Sequence, residues 1–499
     1  MLRRVDVLLW LLLLVLASRL IGMAWLPMAD TSEPRYAEIA RVMAQSGDWI
    51  TPWFEPGLPF WGKPPLAFWS EAASVNLLGL SDFAVRLPSW LATLGVLVLV
   101  HALAQAWYGQ RAARWAALVY GSMALTYVTA GAVLMDPFLT LGTTWAMTSV
   151  ALAAREPRWY WRYGFFLGIA IGLLAKGPLA LVLVVGPLLP WYLLHAEART
   201  SLRALPWLSG SLLLLLITLP WYVAAELKTP GFLQYFLVGE HFLRFVDPGW
   251  AGDLYGSAHE RAHGTIWIYW LLSASPWSLI GLALVAQRLL RQRDMAWLPG
   301  ILRDQRLVFL LGWSLVAPAF FTLAGNILWT YVLPALPAMA VLLAVLIQPQ
   351  APRRTGIRVA GWSAALLPAG LCVLVLAANL NPSLLKSEKA LVEFVQRQDS
   401  DATLIYAGHR PFSARYYSRG QAGLVGTDKV ASALAAETGP VYLAIPKRQL
   451  ATVRAALGDG WQAVAPLYES RGYVLLAIPA ADPVAVREND QQVAIPDQG

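Results

Sequence analysis

Long apolar stretches separated by short polar ones are the dominant pattern of this sequence. About 20 apolar residues in a row suffice for a helix that crosses a bilayer, and windows of this kind recur along most of the chain. They fall near residues 7–26, 83–106, 113–134, 137–154, 178–194, 205–225, 265–286, 307–324, 331–347 and 357–378, with a shorter one at 163–175. The pattern predicts a polytopic α-helical membrane protein with about eleven spans.

Two long polar stretches interrupt the spans, a first loop at residues 27–82 and a second loop at 226–264. Connections of this length in a compact protein are usually functional or disordered, and the aromatic content of both loops indicates order. Within the first loop, residues 34–44 place their apolar side chains on one helical face, and Thr31 or Ser32 can cap the start. We expect a short amphipathic helix lying in the membrane interface.

The pattern changes after Pro382, where helical and strand periodicities alternate. The segments LLKSEKALVEFVQRQ, DKVASALAAE and KRQLATVRAAL are typical of helices, and TLIYAG, VYLAIP and GYVLLAIP are typical of strands. Alternation of this kind predicts a small α/β domain at 384–481. Residues 1–383, including both long loops, then form the membrane domain, and the polar tail 482–499 is predicted to be disordered.

Composition agrees with a membrane protein. The chain is 58% hydrophobic and only 14% charged, with a mean hydropathy of +0.52, whereas soluble proteins carry roughly 25% charged residues. The net charge of +8 does not indicate nucleic acid, because the basic side chains gather in short loops between spans. The single cysteine, Cys372, excludes an intramolecular disulfide and a cysteine-rich metal site.

Basic residues also predict the orientation. Alternate loops are rich in arginine, such as the one with Arg155, Arg158 and Arg162, while the two long loops contain few for their length. The positive-inside rule then puts the N-terminus in the cytoplasm and both long loops and the C-terminal domain outside. The first span lacks a small-x-small cleavage site, so we expect it to remain uncleaved.

The first loop carries the first group of candidate functional residues. Asp30, Glu33 and Arg35 can orient or deprotonate an acceptor and bind phosphate oxygens, or they can cap a helix with a local ion pair. Lys63 precedes two prolines, which fix an extended backbone and present the ammonium at a defined place. It can bind a phosphate or snorkel to lipid headgroups.

Three more candidates lie at the edges of apolar spans. Asp136 precedes Pro137, so it is either a functional carboxylate in an apolar setting or a helix cap. Lys176 can bind an anion or cap a helix end. Tyr331 can donate to a ligand phosphate or belong to an aromatic belt.

The second loop contains Glu240, His241 and Arg244 within GEHFLRF. Glu240 and His241 can ligate a divalent metal, and Arg244 can contact phosphate. His259 and His263 are four residues apart but do not form an HExxH motif. A divalent metal ion is therefore an open possibility as a cofactor.

Taken as a set, the motifs resemble those of a known family. DTSEPRYAEIARVM, SGDWITP, FWGKPPLAFW, VRLPS, LMDP, AKGP, PWYVAAE, GEHFLRF and TYVLPALP occur in the order seen in bacterial GT-C glycosyltransferases. The likeness is to the aminoarabinose transferases of lipid A and the wider protein O-mannosyltransferase superfamily, and it covers roughly residues 5–350.

The resemblance implies a GT-C fold of about 11–13 transmembrane helices, with periplasmic interfacial helices and the small α/β domain. It implies inverting transfer of a sugar from a polyprenyl-phosphate donor, such as undecaprenyl phosphate, to a lipid A, glycan or protein acceptor outside the inner membrane. Membrane lipids are further partners, and nucleic acid is not.

The resemblance also assigns roles to residues. Acidic side chains of the first loop would lie at the sugar or acceptor, and Asp136 would be the second acidic position. Lys63, Arg244 and Tyr331 would engage the donor phosphate, and His241 matches a position that helps to bind metal in some members. Further candidates for substrate binding are Arg35, Tyr36, Lys176 and Glu240.

Two positions depart from the family pattern. The family usually has Asp-Glu-x-Arg-Tyr where this chain has Ser32-Glu33-Pro34-Arg35-Tyr36, with an aspartate displaced to Asp30. The aminoarabinose enzymes tend to have glutamate where this chain has Gly62. These departures leave open which carboxylate is the principal one and whether a metal is needed. A polytopic lipid or sugar transporter and a catalytically inactive GT-C homologue are the alternative interpretations.

Overall fold

Each apolar window of the sequence coincides with helices in the computed structural model. The structure describes residues 6–247, 249–256, 260–292, 298–350, 353–398, 402–437, 439–458 and 464–478. His259 and the tail 482–499, which was predicted to be disordered, lie outside the described residues.

The chain forms two compact units. The membrane unit comprises Met1–Trp25 and Ile39–Val373, and the C-terminal unit comprises Leu26–Glu38 and Leu374–Gly499. The sequence-based division placed the whole first loop in the membrane domain, whereas residues 26–38 belong with the C-terminal residues. The reason is a set of hydrogen bonds and ion pairs made by this segment inside the C-terminal unit, described below.

The first two helices are α1 (Val7–Trp25) and α2 (Ser32–Ser46), and the chain passes between the units within α2. A hairpin of β1 (Trp53–Glu55) and β2 (Leu58–Pro59) follows. The other helices of the membrane unit are α3 (Leu66–Leu78), α4 (Asp82–Tyr108), α5 (Gln110–Gly121), α6 (Ala124–Thr129), α7 (Asp136–Leu152), α8 (Trp159–Lys176), α9 (Leu179–Leu194), α10 (Ala196–Arg203), α11 (Trp207–Lys228), a π-helical segment (Gln234–Leu243), α12 (Arg244–Val246), α13 (Thr265–Ser273), α14 (Trp277–Gln292), α15 (Leu298–Arg303), α16 (Gln305–Phe321), a 3-10 segment (Trp329–Ala335) and α17 (Leu336–Gln350). The chain passes into the C-terminal unit within the last long helix, α18 (Arg353–Leu380).

Several of these helices are long and apolar enough to cross a membrane. By length and composition, the described residues contain five such helices: Val7–Trp25, Asp82–Tyr108, Trp207–Lys228, Trp329–Gln348 and Thr355–Leu380. The pair α13 and α14, bent by 99° around Pro276, would make a sixth. The fold is thus the predicted polytopic helical one, while the count of about eleven spans stays a prediction.

Close packing of α7 against α8 determines where their ends meet. A Cβ atom added at Gly142 of α7 would lie 2.5 Å from the carbonyl oxygen of Gly168 in α8, and one at Gly168 would lie 2.5 Å from the backbone nitrogen of Ala146. Small residues of this kind let two membrane helices approach backbone to backbone. The start of α7 and the end of α8 are therefore held side by side.

Aromatic side chains fill the core of the membrane unit. Trp277 and Trp313 are fully buried, and their indole N–H groups donate to the hydroxyl of Ser122 at 2.9 Å and the carbonyl of Pro334 at 2.9 Å. A buried tryptophan contributes a large apolar surface, and its N–H needs an acceptor. These bonds fix helices that are distant in sequence.

The C-terminal unit contains a mixed five-stranded sheet with the strand order β4-β3-β5-β7-β6. The contacts of β3 with β4 and β5 are parallel, and those of β7 with β5 and β6 are antiparallel. Its elements are α19 (Lys389–Gln398), β3 (Thr403–Ala407), α20 (Phe412–Tyr417), β4 (Gly423–Val425), α21 (Val430–Ala435), β5 (Val441–Pro446), α22 (Leu450–Leu457), β6 (Tyr468–Glu469) and β7 (Tyr473–Ile478). The sequence-based prediction located the three longer strands and missed β4, β6 and α20.

The sheet has an apolar core on each face. Leu404 and Tyr406 of β3 pack in one core with Leu391 of α19. Ile405 and Ala407 of the same strand pack in the other core with Val453 of α22. Successive side chains of a strand point to opposite faces. The continuous apolar run of β3 therefore reflects burial on both sides.

Candidate active site

A buried ion pair joins the adjacent ends of α7 and α8. Asp136 opens α7 with Pro137 in the first turn, and Lys176 is the last residue of α8. Lys176 Nζ lies 2.5 Å from Asp136 Oδ1, and the two side chains are 10% and 8% exposed. The ammonium also lies 4.7 Å from the centre of the Tyr331 ring. Met135 is the N-cap of α7 and Asp136 is its first helical residue, with no side-chain capping bond, so the helix-cap interpretation is wrong. The functional role of the buried Asp136 side chain stays a prediction.

A second charged cluster combines residues of the two loops. Glu240 receives Lys63 Nζ at 3.3 Å on one carboxylate oxygen and Arg244 Nη1 at 2.9 Å on the other. The second terminal nitrogen of Arg244 lies 3.1 Å from Asp253 Oδ2. The structure therefore brings together three residues that the sequence singled out, and it adds Asp253.

Arg244 keeps one donor without a partner. Its Nε is buried and has no hydrogen-bond acceptor among the described residues. A buried donor left unpaired costs about 1–3 kcal/mol, so an acceptor oxygen reaching it would be favourable. Burial lowers the pKa of Arg244, but Glu240, Asp253 and Tyr331 raise it above its ordinary value. Tyr331 is thus close to the cations of both clusters.

Glu240 is charged in this setting. Burial alone would raise its pKa, but the neighbouring Lys63 and Arg244 outweigh burial and hold the pKa below its ordinary value. The three cations Lys63, Arg244 and Lys176 each have a carboxylate partner within 3.3 Å. Together, the two clusters contain these three cations and the carboxylates of Asp136, Glu240 and Asp253, so their charges balance.

Tyr255 ties the segment around Lys63 to the second loop. Its hydroxyl donates to the carbonyl of Pro59 at 2.7 Å and accepts from the backbone N–H of Trp61 at 3.0 Å. The Trp61 indole N–H donates to Thr229 Oγ1 at 3.0 Å. With Pro64 following, these bonds leave the backbone around Lys63 little freedom.

His241 does not fit the predicted metal site. Its Nδ1 lies 2.7 Å from the carbonyl oxygen of Phe236 and its Nε2 lies 3.0 Å from that of Lys176. Burial lowers the pKa of His241, and a neutral imidazole donates through only one nitrogen. Both nitrogens face protein oxygens, and the described residues contain no group of three or more potential metal ligands. The mechanism proposed below uses no metal.

Gly177 allows the chain to turn between Lys176 and α9. It has φ +81°, and a Cβ atom there would lie 2.6 Å from Phe236 Cζ and 3.1 Å from His241 Cε1. We expect Gly177→Ala to lower the midpoint of thermal unfolding. Gly47→Ala is the matched control, because Gly47 has φ +69° and open space around its Cβ position. It should cost only the backbone strain of about 1–2 kcal/mol; equal losses in both variants would contradict the steric argument.

The first-loop candidates Asp30, Glu33, Arg35 and Tyr36 belong to the C-terminal unit. Asp30 Oδ1 accepts from the backbone N–H of Ser413 at 3.0 Å, and Oδ2 accepts from the Ser413 hydroxyl. Glu33 is half-buried in the first turn of α2.

Arg35 is a cation between aromatic rings. Its guanidinium lies 5.0 Å from the centre of the Tyr36 ring and 5.7 Å from that of Phe412. Nearby in sequence, Glu38 pairs with Arg415 at 3.1 Å, and both side chains are buried. These contacts explain why residues 26–38 belong to the C-terminal unit.

A second buried carboxylate, Glu388, lies in the same unit. Its Oε1 accepts from the Ser470 hydroxyl at 3.2 Å, and its Oε2 has no hydrogen-bond partner among the described residues. Burial, and next the charge of Asp30, raises the pKa of Glu388 to about 7.

This raised pKa predicts a pH dependence of stability. The charged form of Glu388 is disfavoured in the folded unit, so stability should fall as the pH rises from about 4.5 to about 7. Glu388→Gln should raise the free energy of unfolding of the full chain by about 2–3 kcal/mol at pH 8 and change it little at pH 4.5. Thermal unfolding of both proteins across this range is the measurement, and parallel pH profiles would refute the assignment.

Two contributors to the site were missed in the sequence. Asp253 and Tyr255 lie in AGDLYG of the second loop, in which only GEHFLRF had been considered for phosphate contacts. The available signal was a further acidic residue, Asp253, in the loop that carries Arg244. The contact of Asp253 with Arg244 could not be predicted from their spacing in the sequence, because the loop between them is not one regular helix or strand.

Comparisons with known proteins agree with the motifs. Residues 8–236 match the family model described as dolichyl-phosphate-mannose-protein mannosyltransferase. The undecaprenyl phosphate-alpha-4-amino-4-deoxy-L-arabinose arabinosyl transferase of Aeromonas salmonicida is 33% identical over 334 residues, which are 64% of this chain and 56% of that protein. The transferase of the same name from Yersinia pestis is 32% identical over 341 residues, 66% of this chain and 56% of that protein. The match thus covers just over half of the length of these relatives.

Solved structures show the same fold at low sequence identity. The crystal structure of ArnT from Cupriavidus metallidurans bound to undecaprenyl phosphate superimposes with a TM-score of 0.76 at 17% identity, covering 94% of this chain and 97% of that one. The archaeal oligosaccharyltransferase AglB from Archaeoglobus fulgidus gives a TM-score of 0.50 at 11% identity, covering 90% and 70%. This chain therefore has the GT-C fold of the ArnT structures, and its residues 8–236 match the dolichyl-phosphate-mannose-protein mannosyltransferase family, which confirms the resemblance inferred from its motifs.

Proposed function

We propose that this chain is an inverting glycosyltransferase that moves a sugar from a polyprenyl-phosphate donor to a lipid A, glycan or protein acceptor. The observation that carries the proposal is the convergence of Lys63 and Arg244, with the buried Nε of Arg244 lacking an acceptor. Two cations with donors to spare at the end of an apolar helical domain suit the phosphate of a lipid carrier. The names of the relatives support undecaprenyl phosphate as that carrier.

Lys63 and Arg244 would stabilise the leaving group. As the bond between the anomeric carbon and the phosphate oxygen breaks, negative charge grows on the phosphate. The ammonium of Lys63 has three donors, of which two are directed at Gly62 and Glu240. The third donor, together with Arg244 Nε, can approach phosphate oxygens, and the Tyr331 hydroxyl can add another hydrogen bond.

The acceptor would attack the anomeric carbon from the face opposite the phosphate, which inverts its configuration. A hydroxyl acceptor needs a carboxylate to take its proton, whereas an ionised phosphate acceptor does not. Asp136 is our candidate within the membrane unit, where Lys176 Nζ lies 2.5 Å from its Oδ1 and fixes its orientation.

Asp30 and Glu33 are the first-loop candidates for contact with the acceptor or sugar. Asp30 has both oxygens engaged by Ser413, so a role for it in transfer would require these bonds to open. Arg35 and Tyr36 stay candidates for substrate binding.

The sequence supports an orientation in which the reaction takes place outside the bacterial inner membrane. Arginine-rich short loops favour the cytoplasm, and the two long loops carry fewer basic residues for their length. We therefore propose that the N-terminus is cytoplasmic and that the C-terminal unit is periplasmic.

The test is transfer by the purified full chain. Labelled undecaprenyl-phosphate sugars are incubated with lipid A, glycan or protein acceptors in lipid nanodiscs, and labelled products are separated by mass. Transfer that depends on Lys63 supports the enzyme. Translocation of a labelled lipid without transfer would favour the transporter, and binding of the carrier without turnover of any donor would favour an inactive homologue.

A further inference from the structure

We infer that Glu240 competes with the carrier phosphate for Lys63 and Arg244, so that it promotes product release after transfer. The inference rests on the proposed function. It changes the role predicted for Glu240, from a side chain that binds substrate to an anion that substrate displaces.

The geometry around Glu240 is that of a bridging anion. Its two oxygens contact two cations, Lys63 at 3.3 Å and Arg244 at 2.9 Å. A phosphate between the same cations would present separate oxygens to them in the same way. Glu240 is only 6% exposed in its side chain, so it fills the space between the cations instead of lying beside it.

Charge prevents the carboxylate and a phosphate from sharing this place. Lys63 and Arg244 keep Glu240 ionised, since they hold its pKa below the ordinary value. Two anions within hydrogen-bonding distance of the same two cations repel each other strongly where water is scarce. A phosphate that approaches the third donor of Lys63 and Nε of Arg244 is therefore repelled by Glu240, and its binding favours movement of Glu240 away from at least one cation.

Asp253 makes this exchange possible without loss of the arginine. Its Oδ2 holds the other terminal nitrogen of Arg244 at 3.1 Å, and its Oδ1 accepts from the backbone N–H of Tyr255 at 3.0 Å. The guanidinium thus stays oriented when Glu240 leaves. Asp253 is a positioning residue, and Glu240 is the one that moves.

The charge of the product explains why a competing anion is useful. The donor is a phosphodiester with one negative charge, and transfer leaves a phosphomonoester with about −1.5 to −2 charges near pH 7. Lys63 and Arg244 bind the more highly charged product more tightly than the donor. Return of Glu240 to the cations would offset this difference and accelerate release.

Binding of undecaprenyl phosphate to the purified full chain tests the inference. We expect Glu240→Gln to bind this product about tenfold more tightly than the wild type, because the neutral amide forms a weaker bridge. Steady-state turnover should fall, while the first turnover remains fast and produces a burst. Glu240→Asp is a second variant; its shorter side chain cannot bridge both cations, so it should also bind the product more tightly.

Two controls separate failure of this inference from failure of the proposed function. Asp247→Asn removes an exposed carboxylate of the same loop whose Oδ1 accepts from the N–H of Gly249 at 2.9 Å, and it should leave binding unchanged. Lys63→Ala should lose binding; unchanged binding there would overturn the phosphate site itself. If Lys63→Ala loses binding but both Glu240 variants bind equally or more weakly than the wild type, only the role of Glu240 is overturned.

Discussion

Replacing Arg244 by alanine should lower kcat for sugar transfer by about two to three orders of magnitude. The guanidinium contacts both Glu240 and Asp253 and keeps a buried donor, with no acceptor among the described residues, for a ligand oxygen. Its loss removes stabilisation of the charge that grows on the leaving phosphate. It also leaves Asp253 without its cation and Glu240 with Lys63 alone. Initial rates with a saturating labelled donor, measured on full-length protein in nanodiscs, provide the comparison.

The matched control for this variant is Arg261→Ala. Arg261 lies in the same loop, is exposed, and donates to the carbonyl oxygen of its neighbour Glu260 at 3.1 Å. Its removal changes the net charge equally and should leave kcat close to the wild-type value. Arg244→Lys should recover little, because an ammonium cannot satisfy two carboxylates and a phosphate in the fixed geometry of the guanidinium. Similar rates in Arg244→Ala and Arg261→Ala would remove Arg244 from the site.

The helical architecture could be predicted because burial in lipid requires long apolar windows. Every window corresponds to helices, although several break where a glycine or proline interrupts them, as Pro276 does between α13 and α14. The glycines of α8 at positions 164, 168 and 172 are four residues apart and carry a signal for close helix packing. Close packing of α8 against α7 brings Lys176 next to Asp136. The separation of these two residues along the chain does not predict this contact.

The sequence could not predict which charged side chains of the site contact each other. Lys63 and Glu240 are 177 residues apart, and their contact depends on hydrogen bonds from Tyr255 that fix two irregular loops. Asp30 has a partner that the sequence did not predict, and its catalytic role stays a prediction. Its place near the family's acidic motif indicated catalysis, whereas both of its oxygens accept hydrogen bonds from Ser413.

Removing one partner of the Asp136–Lys176 pair should have the largest effect on stability in the membrane unit. In Asp136→Asn the ammonium of Lys176 stays buried without its carboxylate, and an uncompensated buried charge costs about 3–5 kcal/mol. We expect this loss in the free energy of unfolding, together with a transfer rate near background if Asp136 acts on the acceptor. Unfolding in detergent and the transfer assay are measured on the same preparation.

The double variant Asp136→Asn/Lys176→Met separates the two effects. It removes both charges and keeps the apolar volume, so the stability should recover most of the loss while transfer stays near background. Arg114→Gln is the exposed counterpart, because Arg114 and its partner Asp6 are 45% and 25% exposed, and it should cost at most about 1 kcal/mol. If the double variant regains transfer along with stability, Asp136 is a structural residue and the acceptor must be activated by another group. If neither stability nor transfer changes in Asp136→Asn, the buried pair does not exist as described.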